Sequence, residues 1–264
     1  MGVELGTNAS NIIDGTARSD NAIGGNNTVT FIADAAASNQ EIQFGFGTNI
    51  LNLAGADDDL ALIIGGNVTV QDATDSGNLS LTLLNQQLGS AFDFGDGSSD
   101  TLQLFTPESG TNDVTVTGVE HVLGSSAFDS IHVAGNSNIT EVVAGVGSDW
   151  IYASGSIEHI RFTSLQDSYS SAEERDVIYG FTAGEDLFVF TDGAAEAMVS
   201  AIHLIGSAAF SDTGQTEARL VDLGDGFQLV EIDADGDGEI GANDMTIELF
   251  GLTGTLTDGD FLIA

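Results

Sequence analysis

No apolar run in this chain lasts more than a few residues before a turn-forming residue interrupts it. ILNL from Ile50, ALII from Ala61, LSLTLL from Leu79, TLQLF from Thr101, SIHV from Ser130, WIYA from Trp150, DLFVF from Asp186 and TIELF from Thr246 lie between stretches of Gly, Asp, Asn and Ser. Helices in globular proteins need longer amphipathic stretches, whereas strands are short and alternate polar with apolar positions. Glycine supplies 34 of the 264 residues, enough to break a helical pattern almost everywhere. The predicted fold is therefore all-β, with one helix candidate, Ala194 to Leu204.

The runs also repeat. GDGSSDTLQL at Gly95 is followed by GVEHV at Gly118, and GVGSDWIYA at Gly145 by SIEHI at Ser156. The pairs Glu120/His121 and Glu158/His159 stand 38 residues apart. Stacked β-coils produce such recurrence because each coil buries its apolar face on the next. The expectation is a parallel β-roll or β-solenoid over residues 1–165, with a β-rich calcium-binding cap over 166–264. Short strands alone are also compatible with a β-sandwich.

Charge narrows the partners. There are 41 acidic residues against four basic ones, Arg18, Arg161, Arg175 and Arg219, for a formal charge of −37. Nucleic-acid backbones need a Lys/Arg surface, so they are excluded as partners. Insertion into a membrane is not expected either, since no apolar run approaches the ~20 residues of a spanning helix. So many acids repel one another unless they are widely spread over a solvated surface or offset by bound cations. Cysteine is absent, which removes disulfides and Cys-based zinc sites. The opening residues MGVELGTNAS have neither the basic nor the apolar region of a secretory signal peptide.

Three segments approach the calcium-binding nonapeptide G-G-x-G-x-D-x-U-x, where U is large and apolar. Ala144 to Tyr152 matches with Ala144 in place of the first glycine; it supplies Gly145, Gly147, Asp149 and an apolar Ile151. Phe44 to Asn52 matches with Asn49 for the aspartate, and the segment from Gly95 matches with one inserted residue, supplying Asp96 and Asp100. Glycines let the backbone turn tightly, and aspartate and turn carbonyls are the hard oxygens Ca2+ prefers. Gly-Asp turns without metal are the plainer alternative.

A second motif runs from Asp233 to Asp244. Asp233, Asp235 and Asp237 occupy loop positions 1, 3 and 5, Gly238 position 6, Glu239 position 7 and Asp244 position 12. This is the spacing of an EF-hand loop, with Asp in place of the usual bidentate Glu. The flanking LVEI and TIELF read as strands, so the expected site is strand–loop–strand.

With these motifs the chain resembles the repeats-in-toxin proteins exported by type I secretion. GVEHVLGSSAFDSIHVAG (Gly118 to Gly135) looks like a linker between their calcium repeats, and RDVIYGFTAGEDLFVF (Arg175 to Phe190) like the start of their C-terminal region. LVEIDADGDGEIGANDMTIELFGLTGTLTDGDFLIA looks like their extreme C-terminus, where the family carries its uncleaved secretion signal. The resemblance implies secretion to the extracellular space or cell surface. It also implies that Asp100, Asp129 and Asp149 are calcium ligands, with Asp176 and Asp186 alongside them.

Catalysis has little support. There is no H-E-x-x-H and no G-x-S-x-G. Adjacent Glu120 and His121 would point to opposite faces of a strand and could not chelate one metal. Trp150 and the 15 Phe read as core residues rather than a stacking platform. The expected function is non-enzymatic: a secreted, calcium-dependent structural protein that self-assembles into a surface layer, matrix filament or adhesive coat. Its expected partners are copies of itself and a cell-surface polysaccharide. The alternative is a calcium-dependent binding module, either a carbohydrate adhesin or an ice-binding solenoid.

Overall fold

The computed structural model describes the chain outside residues 1–3, 6–9, 14–18, 23–26, 32–39, 45–48, 54–59, 72–76, 108–109, 136–138, 170 and 172–173. The fold is almost entirely β, built on parallel sheets. It divides into two compact units: residues 1–124 with 131–140, and residues 125–130 with 141–264.

In the first unit, successive strands alternate between two parallel sheets. One sheet takes Gln40–Phe44, Leu60–Gly65, Leu79–Leu83, Thr101–Gln103 and His121–Leu123. The other takes Asn27–Phe31, Asn49–Asn52, Thr69–Gln71, Leu88–Asp93 and Asn112–Thr117. Side chains along a strand alternate between faces, so one residue in two points inward. Strand pairing places these inward residues in files. Leu62, Leu81, Leu102 and Val122 are partners in register, as are Leu51, Val70, Phe92 and Val116, and none of the eight is more than 1% exposed. Each such side chain contributes about 1.5–3 kcal/mol by leaving water. The apolar nonapeptide positions Leu51, Leu102 and Ile151 are all fully buried.

Glycine is needed where one coil's turn presses on the turn before it. Gly145 has φ +94°, and a Cβ there would stand 2.2 Å from the Ser125 carbonyl oxygen. Gly118, at φ +66°, meets Gly95 O in the same way at 2.3 Å.

In the second unit, Trp150–Tyr152, Val177–Tyr179 and Met245–Phe250 pair in parallel. Glu158–Phe162, Leu187–Phe190 and Phe261–Ile263 do the same. The parallel pattern then gives way to a meander. Met245–Phe250 pairs antiparallel with Phe227–Asp233, which pairs antiparallel with Glu217–Gly224. Such a pairing needs only a short loop, so residues 234–244 form the connection between two antiparallel neighbours. The expected helix is shorter than its sequence pattern: it spans Asp192–Ala197, and His203–Leu204 is already strand. Val199 donates instead to Ala234 O and Thr216 Oγ1, contacts that compete with continuing the helix. Among the described residues no helix is long and apolar enough to cross a membrane.

Candidate metal centre

The connection between Phe227–Asp233 and Met245–Phe250 folds on its own carboxylates. Asp233 Oδ1 accepts from the backbone N–H of Gly236 at 2.8 Å and Asp237 at 3.2 Å, and its Oδ2 accepts from Gly238 at 2.9 Å. Asp244 closes the loop, accepting from Ala234 N–H at 2.8 Å and Gly241 N–H at 2.6 Å. Asp235 Oδ2 accepts from the Asn243 side-chain amide at 3.0 Å. The result brings one carboxylate oxygen each from Asp233, Asp235, Asp237 and Asp244 within 4.8 Å of one another, a group able to hold a metal ion.

Asp233 and Asp244 are buried, Asp235 half-buried and Asp237 exposed, so the group opens to solvent on one side. Burial pushes the carboxyls of Asp233 and Asp244 up, with a smaller push from the neighbouring acids; the amide donors oppose both. Glu239 is exposed and outside the converging group; its N–H donates to Asp237 Oδ1 at 2.9 Å.

A second set of acids is buried along the strand starts. Asp129 N–H donates to Asp149 Oδ1, and Asp149 N–H to Asp176 Oδ1, each at 2.8 Å. Asp176 N–H donates in turn to Ser168 Oγ at 2.8 Å. Each side chain thus caps the amide of the preceding coil. The Oδ2 atoms of Asp149 and Asp176 are buried without a hydrogen-bond partner, as is Glu158 Oε2. Burial pushes the Asp149 carboxyl up to about 8, with Asp129 and Asp167 adding repulsion. Asp176 is pushed well above the usual carboxylate range by burial and by Asp149.

Gly147 opens room beside this ladder. A Cβ there would fall 2.9 Å from Asp149 Oδ1 and 3.0 Å from the Ala127 carbonyl oxygen. Glycine therefore leaves two hard oxygens facing the same small space.

The remaining candidates separate by position. Asp100 is fully buried and accepts from Leu79 N–H at 2.5 Å; Gly97 leaves space for its carboxylate. Asp96 is exposed in the turn before it. Asp129 accepts from Ser125 N–H at 2.6 Å. Asp186 is fully buried and takes Thr182 N–H at 2.7 Å and Glu158 N–H at 2.9 Å; burial raises it to about 7.

Sequence reasoning passed over Glu158, Asp167 and Asp260. Glu158 was visible only as half of a repeated Glu-His pair, yet it is fully buried and accepts from the hydroxyls of Ser154 and Ser156. Asp167 lies in a short 3-10 turn with no glycine signature, where it takes Thr163 N–H at 2.6 Å. Asp260 takes Gly184 N–H at 2.6 Å from a turn 76 residues earlier, a pairing no local pattern announces. Trp150 departs from its expected place in the core: it is 40% exposed, because Ile151 holds the inward position of that strand.

Comparison with known protein families and with curated proteins finds no match to this chain.

Proposed function

We propose that the chain is a calcium-binding β-roll of the repeats-in-toxin kind, ending in a calcium-binding cap, and that it serves outside the cell as a calcium-dependent structural protein. The observation that carries this is the convergence of four aspartates in the Asp233–Asp244 loop. Four carboxylates at such separation repel strongly unless a cation lies among them. The donor set is all oxygen and contains no nitrogen or sulfur, which suits Ca2+ better than softer metals. Asp233, Asp235, Asp237 and Asp244 would hold the ion. The chemistry supplied by bound calcium is charge neutralisation and cross-linking of the loop.

The buried ladder supports the same reading. Asp149 and Asp176 each bury an oxygen without a partner, a costly arrangement for an ionised group. A cation beside Asp149, with the Ala127 carbonyl across the space left by Gly147, would offset that cost. Secretion by a type I route and self-assembly follow from the family resemblance and from the acidity of the chain: without calcium, the −37 charge opposes both folding and association.

Circular dichroism and electron microscopy with and without calcium test this. The expected result is weak β signal and dispersed protein in chelator, with β-rich, assembled protein at millimolar calcium. Identical spectra and no assembly under either condition would refute it.

A further inference from the structure

The acidic loop is held by a second stretch of the chain, residues 211–216, which leads into the strand Glu217–Gly224. Thr216 Oγ1 donates to the Ala234 carbonyl oxygen at 3.0 Å. Gly214 N–H donates to the Gly236 carbonyl oxygen, also at 3.0 Å. Gly236, at φ +71°, has no room for a Cβ: one would stand 2.6 Å from Gln215 N. At Gly238 a Cβ would stand 3.2 Å from Asp212 N. The segment therefore meets the loop at positions 2, 4 and 6, while the converging carboxylates come from positions 1, 3, 5 and 12. Contacts to the segment and candidate ligands alternate along the chain.

The segment has its own anchors. Ser211 donates to Glu217 twice, from N–H to Oε2 at 2.7 Å and from Oγ to Oε1 at 2.6 Å. Glu217 is the register partner of Asp233, so this tie starts beside the first acid of the loop. It turns the Glu217 carboxylate toward Ser211, and Glu217 is not among the four converging acids. At the other end, Thr216 N–H donates to Ser200 Oγ at 3.0 Å, and Thr216 Oγ1 accepts from Val199 N–H at 3.0 Å. Between these anchors Asp212, Thr213, Gly214 and Gln215 are exposed. Exposed backbone held by a few hydrogen bonds opens at far lower cost than a buried strand. Four carboxylates forced together push the loop apart when nothing lies among them. The bonds to Ala234 and Gly236 oppose that movement, because both hold backbone between candidate ligands.

We infer that residues 211–216 form a strap coupled to cation occupancy of the acidic loop, closing as a divalent cation enters and loosening as it leaves. The closed strap fixes the loop backbone at Ala234 and Gly236, and the cation removes the repulsion that pulls on those bonds. Linkage makes the effect reciprocal: whatever loosens the strap lowers cation affinity, and whatever removes the cation loosens the strap. Ser211 and Thr216 are positioning residues, since neither is a candidate ligand. The inference deepens the calcium reading above by giving the loop a segment that it regulates, and it rests on that reading.

Amide hydrogen exchange of the full chain across a calcium titration tests the coupling. It is read over residues 211–216 and over the strand Leu187–Phe190, which reports on the fold as a whole. Strap exchange is expected to slow at least tenfold over a calcium range in which the reference strand stays protected. Asp237→Asn, at an exposed candidate ligand, is expected to move the midpoint to at least tenfold higher calcium. Ser211→Ala and Thr216→Val remove bonds to Glu217 and Ala234 and are expected to move it at least threefold. Ser207→Ala, exposed in the same connection, is expected to leave it in place. Ser211 is half-buried, so its variant decides the matter should Thr216→Val fail to fold. Calorimetry of the wild type separates the two levels: no calcium binding overturns the calcium reading and the coupling with it. Calcium binding with a strap that exchanges only together with the reference strand, or with a midpoint that neither strap variant moves, overturns the coupling alone.

Discussion

The backbone N–H of Asp149 donates to Oδ1 of Asp176, 27 residues later, at 2.8 Å. The other Asp176 oxygen is buried without a partner. One carboxylate therefore both joins two coils and carries an unmet demand for a cation or a proton. One sheet of the first unit uses neutral amides for the same joint: Val68 N–H donates to Gln87 Oε1 at 3.2 Å and Gln87 N–H to Asn112 Oδ1 at 3.0 Å, while its other sheet uses the carboxylates of Asp100 and Glu120. The two versions separate the structural need for an acceptor from the electrostatic consequence of a charge.

An amide in the second ladder should therefore keep the joint and remove the charge. Asp149→Asn retains an oxygen for the Asp129 N–H. In chelator at pH 8 it should raise the urea midpoint above wild type. In calcium it should weaken binding about tenfold, equivalent to about 1.4 kcal/mol, by isothermal titration calorimetry. A midpoint lowered in chelator would count against a charge-driven penalty.

The metal-free protein should lose stability as pH rises. A carboxyl whose folded pKa lies above its unfolded value of about 3.9 binds its proton more tightly when folded. Its stabilising contribution is complete below that value and is lost as pH rises through about 7 for Asp186 and about 8 for Asp149. Melting in chelator should fall by more than about 5 °C between pH 5 and pH 8.5, the size expected from a change of a few kcal/mol. Saturating calcium should flatten the profile. A melting temperature that climbs over this range in chelator contradicts the assignment.

The loop acids should divide by role. Asp233→Ala leaves the backbone N–H groups of Gly236 and Gly238 without their acceptor, while that of Asp237 keeps Asp235 Oδ1 at 3.3 Å. It should cost about 1–3 kcal/mol in urea unfolding even in chelator. Asp237→Asn, at an exposed position with an oxygen retained, should leave chelator stability within about 0.5 kcal/mol and lower calcium affinity alone. Equal stability losses in both variants would show that the cluster acts only as a hydrogen-bonded turn.

Turn contact should matter more than turn conformation. Gly145→Ala places a Cβ against Ser125 O, whereas Gly184→Ala at φ +85° meets nothing within 4 Å. Both carry left-handed strain of about 1–2 kcal/mol. Only Gly145→Ala should exceed that range in chemical denaturation, and similar losses at both sites would discount the coil-to-coil contact.

The strand runs, the turns and the Asp233–Asp244 loop could be read from the chain because each is a local pattern. Alternation over three to six residues sets which side chains can share a face, and four aspartates within 12 residues must meet if the loop closes. Even the outward place of Trp150 was implicit: its nonapeptide gives the inward position to Ile151, but a lone tryptophan invites assignment to the core. Only the tertiary structure could decide which distant acids become neighbours. Asp149 finds Asp176, Glu158 finds Asp186 and Gly184 finds Asp260 because coil length and strand register bring them together. The coils differ in length, and register is set by the burial of whole apolar files, so no single segment contains the information. The same register lines up Tyr152, Tyr179, Phe250 and Phe227, which come from four strands, one of them reached only through the antiparallel turn around the acidic loop.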